Sequence, residues 1–407
     1  MGLDPKMKPG NYDAIILGAG GAGLMCAVTA GQRGRRVLVI DHATGPGKKI
    51  LISGGGRCNF TNVNATTAHA QERYLSANPH FAKSALGRYT PTDFIELVKA
   101  HGIAFHEKTL GQLFCDGSAR QIVEMLMDEC DRSAAMGGHV DFVFNAPVGD
   151  VSHDGSEYCV TYNGLYARAA SLVIATGGPS IPKMSATGFA YDLARQFGLK
   201  IIEPRPALVP LTLGGDDVLF RELSGVSAEV VARCGKTQFR EAALLTHKGL
   251  SGPAILQISS YWRPGQAVGI DFVPDRAAGW LRNLKREKPR SNIKSVLAGE
   301  LSGRLADTLA DRIGAVGNLA DTQDRVLEDA ERHLANWTFV PNGSEGYAKA
   351  EVTLGGIATD ELSQQTMEAK KASGLYCIGE AVDVTGWLGG YNFQWAWASG
   401  VAAGQAI

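Results

Sequence analysis

What this sequence lacks narrows it before any motif is read. It has no dominant charge: 40 Lys and Arg against 41 Asp and Glu leave a formal net charge of −1. So balanced a chain has no general field with which to gather polyanions; its densest basic run, Arg282, Lys285, Arg286, Lys288 and Arg290, reads as a solvated helix face and linker, and the expectation is that the chain binds no nucleic acid. Its 7 cysteines include no CxxC and no Cys/His cluster at metal spacing, so no metal is expected. Scattered thiols in a chain of this length fit a reducing compartment. The opening, "MGLDPKMKPGNYDA", is polar and does not read as a secretory leader. The longest apolar stretch, from Ala14 to Ala30, is broken by glycines and too short for a membrane span. Together these absences suggest a cytoplasmic protein with no membrane partner.

What is there is size, an ordinary apolar content and glycine. With 407 residues, 45% of them hydrophobic, the chain can bury a large core in two or three domains. Many of its 50 glycines fall in clusters, as around a ligand. The first cluster follows the apolar run "YDAIIL", which reads as a buried strand. Gly18, Gly20 and Gly23 form GxGxxG, "LMCAVTAGQRG" reads as a helix, and "RRVLVID" as a second strand ending in Asp41. In this context Gly18 permits the tight turn and Gly20 lets a pyrophosphate reach the backbone. Gly23 lets helix and strand pack closely, and the helix N-terminus faces the phosphates. Asp41 is placed to accept from an adenosine ribose, which leaves NAD and FAD both open.

Three further stretches favour FAD, whose extended form needs contacts from both ends of the chain. "SLVIATGG" is a strand ending at Thr176 and Gly177, and "GLYCIGE" a strand ending at Gly379 and Glu380. "GGYNFQWAWASG" runs from Gly390 into Tyr391, Asn392 and Phe393. Its aromatics alternate like a strand, but Ala396, Ser399, Gly400 and Ala403 recur at helical spacing, so a helix is expected. Its N-terminus would favour an anionic reduced flavin. Trp395 and Trp397 read as core, Tyr391 as a border of the flavin.

These motifs, with "GKKILISGGGRCNFTN", "THKGLSGPAILQIS" and "VTLGG", resemble the YhiN/BaiN-type flavoproteins, NAD(P)/FAD-dependent oxidoreductases, from about residue 12 to the end. The resemblance implies an α/β fold: a glutathione-reductase-like Rossmann FAD-binding domain with an inserted β-barrel-like domain and a small helical domain. The corresponding boundaries are 1–195 and 356–407 for the FAD-binding domain, 196–265 and 336–355 for the β-rich substrate domain, and 266–335 for the helical insertion. The resemblance also implies that Ser53, Gly54, Gly55 and Gly56 lie beside the flavin, with Lys48, Lys49 and Arg57 near its phosphates. Cys58 is either a redox thiol or a small buried apolar residue. His247 either moves protons across a domain cleft or caps the helix that starts near Ser251.

Neither a second GxGxxG nor a CxxxxC is present, which argues against a disulfide reductase. The functional expectation is an FAD-dependent oxidoreductase, moving hydride between flavin N5 and a small or flat organic substrate with NAD(P)H as transient donor. His247, Cys58 and Tyr391 are its catalytic candidates. An amine-type oxidase using oxygen is one alternative, and an FAD-dependent RNA-modifying or flavin-bound regulatory protein is another.

Overall fold

A computed structural model describes residues 10–184, 186–314 and 317–407. The chain forms two compact units, one made of the described residues up to Arg205 together with Val352–Ile407, the other of Pro206–Glu351.

The first unit is built on a seven-stranded sheet. Strand β1, Gly10–Leu17, and strand β2, Arg36–Ile40, flank helix α1, Gly21–Gln32. Their side chains explain the burial: Ala14 to Leu17 and Val37 to Ile40 are almost wholly inaccessible, as expected of parallel strands covered on both faces. β2 pairs in parallel with His139–Val143, and β1 pairs in parallel with the long strand Leu165–Ile174. That strand pairs in parallel with Leu375–Cys377 from the far end of the chain, and its first half is the edge of an antiparallel meander with Tyr158–Tyr162 and Val148–His153. Leu17, Ile40, Val143, Ile174 and Cys377 stand in register. Five strands therefore end at one edge, where ligands of open α/β sheets collect. Residues 139–170 look in sequence like one meander. His139–Val143 instead joins the parallel layer, because alternation alone does not say which neighbour a strand takes.

The C-terminal helix, Tyr391–Ala406, packs on α1 through missing side chains. A Cβ on Gly400 would stand 2.6 Å from the Ala22 carbonyl oxygen, and one on Gly404 2.6 Å from Thr29 Cβ. The expected helix is therefore present, and its alternating aromatics are core. Trp397 stacks on Phe94 at 4.5 Å and Trp395 is 1% exposed.

The second unit holds a seven-stranded antiparallel sheet running Trp337–Phe339, Val268–Asp271, Ser227–Cys234, Thr237–Leu245, Gly249–Ser251, Leu211–Thr212, Gly343–Ser344. Its two end strands are joined by residues 340–342 alone, so the sheet curls back on itself like a barrel. Helices Trp280–Glu287, Ile293–Ala298, Gly303–Ile313 and Asp324–Ala335 form one stretch of this unit. Among the described residues no helix is long and apolar enough to cross a membrane.

Candidate dinucleotide site

The turn between β1 and α1 is shaped by glycine. Gly18 sits at φ +107°, and a Cβ there would lie 2.6 Å from the Ala175 carbonyl oxygen. A Cβ on Gly23 would lie 1.9 Å from the Gly18 carbonyl oxygen, so helix and turn touch backbone to backbone. Gly20 differs: nothing lies within 4 Å of a Cβ built on it. No side chain caps α1 at this end, so its first amides, at the positive end of its dipole, have no side-chain acceptor. Asp41 ties the turn down, Oδ2 accepting from the Ala19 amide and Oδ1 from the Ala43 amide, each at 2.7 Å. A carboxylate has further lone pairs for a ribose hydroxyl.

Beyond the turn the sheet edge carries a charge pair. Lys49 comes from the short helix α2, Lys48–Ile52. Its Nζ donates to Glu380 Oε2 at 2.6 Å and to Ser180 Oγ at 2.7 Å. Glu380 Oε1 accepts from Ser180 Oγ at 2.7 Å and from the Thr353 amide at 2.8 Å. Burial pushes this carboxyl up, but the Lys49 charge and hydrogen bond, the Ser180 hydroxyl and the Thr353 amide outweigh it and hold it below its ordinary range. Gly177 lies alongside, a Cβ there being 3.9 Å from Glu380 Oε2. The buried hydroxyls of Thr176 and Thr353 have no hydrogen-bond partner among the described residues, and buried hydroxyls seldom go without one. Open space over Gly20, uncapped amides, a nearby ammonium and two waiting hydroxyls fit the phosphates and polyol of a dinucleotide.

The other expected residues have more structural tasks. Gly379, at φ +66°, packs against Ala22 of α1. Ser53 donates to the Ile50 carbonyl and Lys48 to Thr44. Gly54, Gly55 and Gly56 all have positive φ, with Gly54 backed by Phe114, while Arg57 is exposed. A Cβ on Gly390 would stand 2.4 Å from the Thr61 backbone, so this glycine serves packing. Asn392 clamps the chain before it, accepting from the Gly386 amide at 2.8 Å and donating to the Gly386 carbonyl at 2.9 Å. Phe393 stacks on Trp397 at 5.6 Å. The Tyr391 hydroxyl accepts from Arg73 Nη1 at 2.7 Å, and the guanidinium lies over the Tyr391 and Trp387 rings. Burial raises the Tyr391 pKa, and Arg73 partly offsets it.

Cys58 is fully buried at φ +50°. Burial pushes its thiol far up, against a smaller opposing effect of Ser53, so it offers no thiolate at neutral pH. His247 belongs to the other compact unit, where it is exposed in the turn between Thr237–Leu245 and Gly249–Ser251. Sequence reading missed Arg73, Ser180 and Thr353. Their partners lie far along the chain, and nothing local to them signals it.

The family model "HI0933-like protein Rossmann domain" matches residues 12–406. A ribosomal RNA dihydrouridine synthase of Escherichia coli is 50% identical over 97% of this chain and 98% of its own. One of Haemophilus influenzae is 45% identical over the same shares. A 3-dehydro-bile acid delta(4,6)-reductase of Clostridium scindens is 28% identical over 96% of this chain and 98% of its own. These relatives overturn the expectation that nucleic acid plays no part. The net charge of −1 sums over the whole surface and hides a local run: between Arg282 and Lys294 stand six basic residues and one acidic one.

Proposed function

The chain belongs to the HI0933-like family of FAD-binding Rossmann oxidoreductases, and from that premise we propose that it reduces the C5–C6 double bond of a uridine in ribosomal RNA. The observation that carries this reading is the identity of 50% and 45%, end to end, with two relatives named for that reaction, against 28% for the bile-acid reductase. Both names describe one kind of chemistry. In uracil the C5–C6 double bond is conjugated to the C4 carbonyl, as the double bonds of a 3-oxo-delta(4,6) steroid are to its ketone. Hydride adds at the carbon remote from the carbonyl, C6 in uracil, and a proton at the neighbouring carbon, C5. Product and substrate then differ by one hydride and one proton.

FAD, once reduced, supplies the hydride, and NAD(P)H is the donor we propose for its reduction. The chain's own residues hold and orient. The bare backbone at Gly20 and the α1 N-terminus receive the pyrophosphate. Thr176 and Thr353 offer hydroxyls to the polyol, and the Lys49–Glu380 pair ties helix α2 to the turn after Leu375–Cys377. Tyr391 is the proton source we propose in this unit. Its oxygen accepts from Arg73, so its own hydrogen remains to be given to C5, and the guanidinium favours the phenolate left behind.

The test is direct. FAD-loaded protein with NADH or NADPH, given ribosomal RNA from cells lacking this gene, should convert one uridine into a nucleoside two hydrogens heavier, read by mass spectrometry. Tyr391→Phe should keep its FAD and slow this conversion about a hundredfold or more. Unmodified RNA alongside reduction of a conjugated steroid ketone would move the assignment to the bile-acid type of substrate.

A further inference from the structure

The helical stretch of the second unit carries a charge feature the flavin site does not use. Of the six basic residues between Arg282 and Lys294, three are matched locally. Arg282 pairs with Glu328 at 2.5 Å, Lys285 with Asp324 at 2.8 Å and Lys294 with Asp311 at 2.7 Å. Arg286, Lys288 and Arg290 are exposed and make no ion pair among the described residues, and the single acid of the run, Glu287, is exposed beside them. The excess is felt nearby. Asp324 is held below the usual carboxylate range first by the hydrogen bond and charge of Lys285, then by the charges of Arg282 and Arg286.

The segment is also fixed in place. Helix Trp280–Glu287 is anchored at its start by Glu331, whose two carboxylate oxygens accept the Gly279 and Leu281 amides at 2.6 Å each. After the helix Pro289 makes a turn, closed by the Ser291 amide donating to the Lys288 carbonyl at 3.0 Å. The amides of Ala320 and Leu319 then bond to the carbonyls of Pro289 and Ser291 at 2.8 and 2.9 Å. Lys288 and Arg290 thus flank the tip of a pinned turn. Favourable interaction with the helix dipole accounts for a cation in the last turn, such as Arg286. It does not account for two more beyond the helix end. Exposed cations held on a rigid support and making no ion pair among the described residues suit a polyanion, since each phosphate neutralised releases a counterion.

We infer that Arg286, Lys288 and Arg290 form a ridge that binds the sugar–phosphate backbone of the RNA substrate. The inference rests on the ribosomal RNA reading above and adds to it a surface on which the RNA is held. Contacts of this kind position the nucleic acid without reading its sequence.

The experiment compares two triple variants of the FAD-loaded full-length protein. In the first, Arg286→Gln, Lys288→Gln and Arg290→Gln remove the ridge. In the second, Lys236→Gln, Arg304→Gln and Lys349→Gln remove the same charge from other exposed positions of the same unit. The ridge variant should keep its melting temperature, its FAD content and its anaerobic flavin reduction by NAD(P)H. Its KM for RNA should rise roughly a hundredfold at about 0.1 M salt, and the slope of log affinity against log salt should shallow by about 2 to 2.7. The second variant should change both far less. Equal losses in the two variants would show that net charge alone matters and would overturn the ridge. So would an unchanged slope in a ridge variant acting on RNA that the wild type modifies. A wild type that leaves RNA unmodified would instead remove the reading on which the ridge depends.

Discussion

Two glycine clusters of the first unit look alike on paper and differ in space. Around Gly18, Gly20 and Gly23 two of the three glycines are required by what they touch, with carbonyl oxygens 2.6 and 1.9 Å from a notional Cβ, while the middle one faces emptiness. Around Gly54, Gly55 and Gly56 all three are required by their positive φ, and only Gly54 is crowded, by Phe114 at 2.7 Å. The lack of a side chain therefore does three jobs here: close packing, left-handed backbone, and room for a guest. Only the third is about function, and Gly20 is where it stands alone, without strain and without contact.

That separation can be broken by substitution. Gly23→Ala should do the most damage. Its methyl overlaps backbone that has nowhere to go, so a loss of about 4 kcal/mol or more is expected, and a wild-type melting curve would refute the packing assignment. Gly20→Val should fold but lose its FAD, giving colourless protein with a melting temperature close to that of the cofactor-free wild type. A yellow, fully loaded Gly20→Val would mean that nothing approaches that backbone.

Glu380→Gln tests the pair that Lys49 makes a few residues before the second cluster. The folded carboxyl titrates below its unfolded value, so it adds stability above about pH 4.3, and that stability is lost as pH falls through the depressed folded value. The variant should lose about 1–3 kcal/mol near neutrality and converge with wild type in acid. Parallel stability curves across that range would show that the pair contributes no pH-dependent stability. Gly55→Ala should have the smallest effect, about 1 kcal/mol from its left-handed backbone, with FAD retained. Loss of the cofactor there would make Gly55 a ligand contact of the kind proposed for Gly20.

Some of the site was open to reading. Strand, GxGxxG, helix, strand and Asp41 are contiguous, and their order follows from local rules of turn and periodicity. The C-terminal helix was legible through its small residues despite a strand-like alternation of aromatics, which the tight contact with α1 explains. Gly390 illustrates what was not legible. It precedes a helix and follows another glycine, as a ligand loop does, yet its purpose is the Thr61 backbone 2.4 Å away. Arg73 meets Tyr391 across 318 residues, and Thr353, in the strand Val352–Ile357, meets Glu380 in the turn that follows Leu375–Cys377 only once the chain has folded. Net charge misled in the opposite direction, since a sum near zero is silent about where the charges lie.

The sequence alone determined the dinucleotide turn and the strands and helix that bracket it. These are local matters of backbone freedom and periodicity, settled within a few residues of one another. Tertiary structure alone decided which glycine has open space around it, which carboxylate pairs with a lysine, and which exposed cations make no ion pair among the described residues. Those properties depend on neighbours brought close by folding, and a side chain's environment is set by distance in space.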